Sequence, residues 1–400
     1  MNRALPLSDR TLSGQAPRDP AMPDRAEGRT TLSVPPEWQA LADAASESNP
    51  FYHPALLGPA LDHLDPGGQV RVIEARRGGR LIGLLPVVPL ARHSRYPVRN
   101  VGNWAHDHCF YGAPLLRAGE EQEAWAALLA QLDDAAWAGQ FLHLERLDID
   151  GPAAAALHAC CAAQRRPLKR IGLYERAMLR SDLSAGRYWE THVRSKKRKE
   201  IRRLLNRLGE CGAVTHRRLG DPAEAARWGE DFLALEAAGW KGRTGSAIGN
   251  HPDTRRWFTA MLDRAARAGM LDMLRIDMDG APIAMLINFR HGRGAYSYKI
   301  AFAESHARFS PGILIELDNL RAVLGDGTGD GGTPRPIDWM DSCAAPDHPM
   351  IDSLWAERRR IGQFRVALGG SGASALVRRA AFTAIGLAET ALHSLRKEKS

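Results

Sequence analysis

LDMLRIDMDGAPIAMLINFRHGRGAYSYKIAFAESHARFSPGILIELDNLRAVL, residues 271–324, is the stretch that decides the fold. Three apolar runs are separated by two tight turns, Asp279-Gly280 and His291-Gly292-Arg293-Gly294. Glycine accepts the positive φ that such turns require, so the runs predict three neighbouring antiparallel strands. A polar loop follows, and Ser310-Pro311-Gly312 then opens the amphipathic run ILIELDNLRAVL. Serine suits a helix cap and proline the first helical turn, so a helix begins here. RPIDWMD, residues 335–341, reads as another strand. Three consecutive strands, a helix and a strand predict an α+β unit with a mixed, partly antiparallel sheet. The alternating βαβ of a doubly wound nucleotide fold is absent.

The same signals recur earlier. QVRVIEAR at 69–76, a Gly78-Gly79 turn and LIGLLPVVPLAR at 81–92 predict a hairpin, with a short strand around Arg99–Asn103. EEQEAWAALLAQLDDAAWA is a helix, FLHLERL a strand and ALHACCAAQRR a helix. Setting Gly79 on Gly280 lays RLIGLL over APIAML, which predicts two related α+β units in tandem. The units are expected at 31–165 and 166–370. They are flanked by a flexible leader at 1–30 and a helical tail at 371–400. FRVAL is the expected final strand, and one helix is expected from about Ala185 to Leu208.

That helix carries most of the charge. In RSKKRKEIRRLLNR, residues 194–207, eight cations face the single carboxylate of Glu200, so one segment holds nearly the whole net charge of +8. Ile201, Leu204, Leu205 and Leu208 form its apolar stripe. Arg198 and Arg202 are candidates for binding an anionic substrate; a solvated face is the alternative. No aromatic residues interleave with the cations, and no helix-turn-helix or zinc-finger spacing occurs, which argues against DNA.

Composition excludes several classes. A 44% hydrophobic and 25% charged chain of 400 residues can bury a large core. Five cysteines without a CxxC pair suggest neither a zinc ribbon nor a disulfide framework. The longest apolar stretch, Leu81–Ala91, is broken by Pro86 and Pro89 and is too short to span a bilayer. A cytoplasmic protein without a transmembrane segment is expected.

Three further places could carry chemistry. Arg308, Phe309, Ser310, Pro311 and Gly312 stand at a helix start, where free N–H groups attract an anion. Asp341, Cys343, Asp347 and His348 follow a strand, as a turn or as a site; they have no matched ligand set, and no metal is expected. LEAAGWKGRTG places Glu236, Trp240 and Lys241 at a helix end, where Trp240 reads as a core anchor or as a substrate wall.

SKKRKEIRRLLNRLGE at 195–210, LEAAGWKGRTGSAI at 235–248, DGAPIAMLINFRHGRGAYSYKIAFAESHARFSPGILI at 279–315 and IDWMDS at 337–342 together resemble the BioF2-like acetyltransferase family. This family lies within the GNAT superfamily, includes CelD-like cellulose biosynthesis proteins, and is distantly similar to FemAB-type peptidoglycan aminoacyltransferases. The resemblance implies tandem GNAT-like domains, the first degenerate. It also implies an acyl-CoA donor, acetyl-CoA or another acyl-CoA, and no metal. The diphosphate would lie on Phe309–Gly312, although RFSPGI offers a single glycine there. Glu236 or Asp341 would be the base and Tyr298 the proton donor to the leaving thiolate. Arg198, Arg202, Trp240, Lys241 and His348 would contact a small-molecule or glycan-type acceptor, anionic and bearing an amine or hydroxyl, in polysaccharide or cell-envelope biosynthesis. Two alternatives stay open: a FemAB-like aminoacyltransferase using aminoacyl-tRNA, and a non-catalytic accessory protein of polysaccharide assembly.

Overall fold

Two hairpins turn where glycine was expected, at Gly79 (φ 82°) and Gly280 (φ 81°). The computed structural model describes residues 34–325, 337–369 and 376–387. The expected leader, nearly all of the glycine-rich connection after Leu324 and much of the tail lie outside them; residues 376–387 are helical. Prolines start α1 (Pro36–Asp43) and α2 (Pro54–His63). Next come β1 (Arg71–Arg77), β2 (Arg80–Leu90), β3 (Asn100–Asn103), β4 (Leu115–Leu116), α3 (Glu121–Asp134), β5 (Phe141–Asp148), α4 (Pro152–Ala163) and β6 (Leu168–Leu179). The second half holds α5 (Ala185–His192), α6 (Ser195–Gly209), β7 (Val214–Arg218), α7 (Ala225–Ala238), α8 (Trp240–Arg243), α9 (Pro252–Arg267), β8 (Leu271–Met278), β9 (Ala281–His291) and β10 (Gly294–Phe302). It ends with α10 (Pro311–Leu324), β11 (Trp339–Asp341) and β12 (Glu357–Ala367), the last much longer than the expected FRVAL.

One mixed sheet takes all twelve strands, in the order β1-β2-β3-β5-β12-β6-β11-β10-β9-β8-β7, with β4 on β2. Among the described residues only β3–β5 and β10–β11 are parallel, and in each pair a helix, α3 or α10, lies between the strands in sequence. The late strands are exchanged. β12 pairs with β5 of the first half, and β6 pairs with β11 of the second. The sheet therefore runs unbroken past residue 165. On one face of the second half, α5, α6 and α10 cover Leu274, Ile276, Leu286, Ala295 and Met340; on the other, α7 and α9 cover Met273, Met285, Ile287 and Phe289.

The helix expected from Ala185 to Leu208 is two helices. Val193 and Arg194 are extended between them, and the Val193 side chain is buried. Arg198 turns back and donates to the carbonyls of Trp189 (3.4 Å) and Val193 (2.7 Å), capping the C-terminus of α5. Its Nη1 is thereby engaged within the fold. Ile201, Leu204 and Leu208 of α6 are buried, each contributing about 1.5–3 kcal/mol on removal from water.

In the first half, the gap beyond the paired residues of β3 and β5 is stitched shut. Asn103 donates to the carbonyls of Gly112 (2.9 Å) and Glu145 (3.0 Å) and accepts from the Glu145 N–H (2.8 Å). A Cβ at Gly112 would collide with the Asn103 amide and the Glu145 carbonyl. Gly112→Ala is expected to destabilise the protein by about 1–3 kcal/mol in urea unfolding. An unchanged midpoint would show that this seam yields.

Candidate functional site

β10 departs from regular pairing at one point. Its register against β9 shifts between Ser297 and Lys299, leaving Tyr298 as an extra residue. A bulge of this kind re-aims the side chains around it. On its other side, β10 meets β11 only from Gly294 to Tyr296. Past Tyr296 that edge has no strand partner, and the Ile300 carbonyl instead accepts from Lys241 Nζ at 3.3 Å.

A charged cluster lines this edge. Glu236, in the last turn of α7, is 3% exposed. Its Oε1 accepts from Lys241 Nζ at 3.1 Å and lies 3.9 Å from Lys299 Nζ, and its Oε2 accepts from the Ile248 N–H at 2.9 Å. Burial lowers the Lys299 pKa to about 8, with the Lys241 cation adding to the effect and Glu236 opposing it. Lys299 is thus roughly nine-tenths protonated at pH 7 and far easier to deprotonate than an ordinary lysine.

The first half closes over this cluster with residues 104–114. The Tyr298 ring packs against Phe51, Phe110 and Phe289, its hydroxyl has no hydrogen-bond partner, and burial raises its pKa. His108 stacks on Trp257 with centroids 4.4 Å apart. Burial, assisted by the Lys299 cation, lowers the His108 pKa to about 2, and burial lowers that of His106 to about 3. Both imidazoles are neutral at working pH. Lys299, His106, His108 and Phe110 were not singled out in the sequence. The usable signals were a lone lysine in the apolar strand YSYKIAF and the run HDHCFYG at 106–112.

The other candidates are dispersed. Asp341 is fully buried: Oδ2 accepts from Arg176 (2.7 Å) and Arg359 (2.9 Å), and Oδ1 from the Cys343 N–H (2.8 Å). Both carboxylate oxygens are thus engaged within the fold, joining β6, β11 and β12. Trp240 is 47% exposed rather than a core anchor, beside Lys241 on the rim, and its backbone N–H donates to Glu304. His348 is half-buried, with Nδ1 unpartnered, and no metal-binding group of His, Cys, Asp and Glu occurs among the described residues.

The helix start of α10 also differs from expectation. Ser310 lies in the left-handed region (φ 53°), and its side chain makes no capping bond. Ile313 and Leu314 N–H both donate to the Ser310 carbonyl and Pro311 has no N–H, so Gly312 is left to supply the donor of this turn. Met350, Phe302 and Ile300 side chains lie within 3.4–3.6 Å of where a Gly312 Cβ would be. Arg308 is exposed and lies over the Phe309 ring. One N–H and an exposed arginine are a poor fit to a CoA diphosphate. Next to this turn, α6 exposes Lys196, Lys199, Arg202, Arg203 and Arg207, and none of them forms an ion pair among the described residues.

Residues 195–329 match a family model described as an acetyltransferase (GNAT) domain. No curated protein matches the chain. Among solved structures, FemX is similar over 82% of this chain and 94% of its own, with a TM-score of 0.53 at 10% identity. The C-terminal domain of a protein described as a lysylphosphatidylglycerol synthetase, from Agrobacterium fabrum, is similar over 86% and 95%, with a TM-score of 0.50 at 13% identity. L-PGS from Bacillus licheniformis is similar over 86% and 96%, with a TM-score of 0.50 at 11% identity. At these identities the likeness is one of fold.

Proposed function

We propose that this chain, whose residues 195–329 match an acetyltransferase (GNAT) domain model, is a FemX-like aminoacyltransferase, moving an amino acid from aminoacyl-tRNA to an amine-bearing acceptor of small or glycan type. The observation that carries this reading is the contrast at the start of α10. The diphosphate loop offers one N–H, whereas the adjoining α6 exposes five unpaired cations. That is the footprint of a long polyanion. The exchanged strand order supports two GNAT-like units in tandem, with the Asn103 seam closing the first unit's cleft. The resemblance to BioF2- and CelD-like proteins supports an acceptor from envelope or polysaccharide synthesis.

In this mechanism the acceptor nitrogen attacks the ester carbonyl carbon beside the bulge of β10. The Lys299 ammonium donates to the developing oxyanion in a site that excludes water. As the carbon–oxygen bond to the ribose breaks, Tyr298 gives its proton to the leaving oxygen and recovers one from the acceptor ammonium. Glu236 is a positioning residue: its oxygens are engaged by Lys241 and the Ile248 N–H, and it holds both lysines at the cleft.

The match over 195–329 and the parting of β10 from β11 favour a second reading, acyl transfer from acyl-CoA. Filter binding and transfer assays with labelled aminoacyl-tRNA and acetyl-CoA separate the two. Binding of aminoacyl-tRNA is expected to weaken by about a hundredfold between 50 and 200 mM salt, and further in Arg203→Glu/Arg207→Glu. Transfer from acetyl-CoA with no tRNA binding would reverse the choice.

A further inference from the structure

Between α5, α6 and α10 lies a concavity of about 300 Å³ that the transfer chemistry does not use. Ile201, Leu317 and Leu320 are its buried lining, and the half-buried Trp189 and the exposed Arg202 and Arg321 complete it. Arg321 pairs with Asp318 at 3.3 Å, and an apolar hollow that presents an indole and the unpaired guanidinium of Arg202 suits a flat ring tethered to an anion. Unpaired nucleobases are held in this way, stacked on an aromatic ring with the phosphate on arginine.

Position narrows the choice. Leu317 and Arg321 stand six and ten residues beyond the start of α10, about 9 and 15 Å along the helix. At roughly 3.4 Å per stacked nucleotide, this is a path of about three to four nucleotides from the start of α10, where Gly312 abuts Ile300 and Phe302 of β10. The unpaired α6 cations Lys199 and Arg203 flank the path and can follow its phosphates. We propose that this hollow holds an unpaired base of the donor RNA, upstream of the ribose that bears the amino acid. The proposal rests on the aminoacyl-RNA reading and adds to it a site that selects for an unpaired 3′ end.

Gly186 provides the test, because a Cβ placed there meets no atom within 4 Å. Gly186→Leu therefore places a larger side chain at the wall of the hollow, and Trp189→Ala removes its ring. The probe is an uncharged RNA hairpin with a single-stranded 3′ tail, intact or with one abasic nucleotide at successive tail positions, measured by fluorescence anisotropy with the full chain. An abasic nucleotide at one particular position of the tail is expected to weaken binding about tenfold. Gly186→Leu is expected to cause the same loss and to abolish the sensitivity to the abasic site. If the hairpin binds but neither change matters, the pocket assignment is wrong and the donor reading stands. No hairpin or tRNA binding at low salt overturns both. Tighter binding of dodecanoate than of the hairpin, lost in Gly186→Leu, would overturn the assignment in favour of an anionic lipid.

Discussion

Lys299→Ala is expected to slow aminoacyl transfer by about two to three orders of magnitude, the usual consequence of removing a single oxyanion donor. The expectation rests on placement. Lys299 follows the bulged Tyr298 on the strand edge that β11 leaves open, and Glu236 holds it there at 3.9 Å. Its role fixes the sign of the pH dependence. With a pKa near 8, Lys299 is a cation below that value and loses its proton as the pH rises through it. Single-turnover rates should therefore fall above about pH 8. Lys299→Arg should restore part of the rate and remove that alkaline limb, because arginine keeps its charge. Glu236→Gln should move the limb to lower pH, since Glu236 is the group that raises the Lys299 pKa. A rate that climbs through pH 8 would make Lys299 a base and refute the oxyanion role.

Asp341→Asn is expected to destabilise the protein by about 3–5 kcal/mol, the range for breaking a buried ion pair on one side. Asn can still accept the Cys343 N–H, so the local turn is preserved. The loss falls on Arg176 of β6 and Arg359 of β12, both nearly inaccessible, which would keep their charges without a common counter-ion. Asp148 pairs only with Arg359 and does not reach Arg176 in the same way. Urea unfolding gives the comparison, and the transfer rate of the remaining folded protein gives a second. A loss below about 1 kcal/mol together with a collapse in rate would return Asp341 to the chemistry.

What could be read from the sequence followed local rules. Gly79 and Gly280 marked both hairpins, the apolar periodicity marked the helices, and Ser310-Pro311 marked the start of α10. Glu236 and Lys241 were found because they lie five residues apart in one segment, and the fold brings them into contact. The misreadings have tertiary causes. No proline or glycine announces the break at Val193–Arg194; it depends on burial of Val193 and on Arg198 folding back. Asp341 looked reactive because its partners, Arg176 and Arg359, lie on strands distant in sequence. Lys299 was passed over because its perturbation comes from burial beneath residues 104–114, which the strand itself does not encode.

The exchanged strands also dictate an order of events during synthesis. β5 leaves the ribosome early, but its neighbour β12 is completed only some two hundred residues later, so the growing chain carries an unpaired strand edge for most of its translation. Such edges recruit other chains, and sheets closed by distant segments fold slowly. A nascent-chain binding factor would therefore find its target at β5 well before the last strand arrives. For the same reason, a chain ending before Glu357 would leave β5 and β6 facing each other across a missing strand.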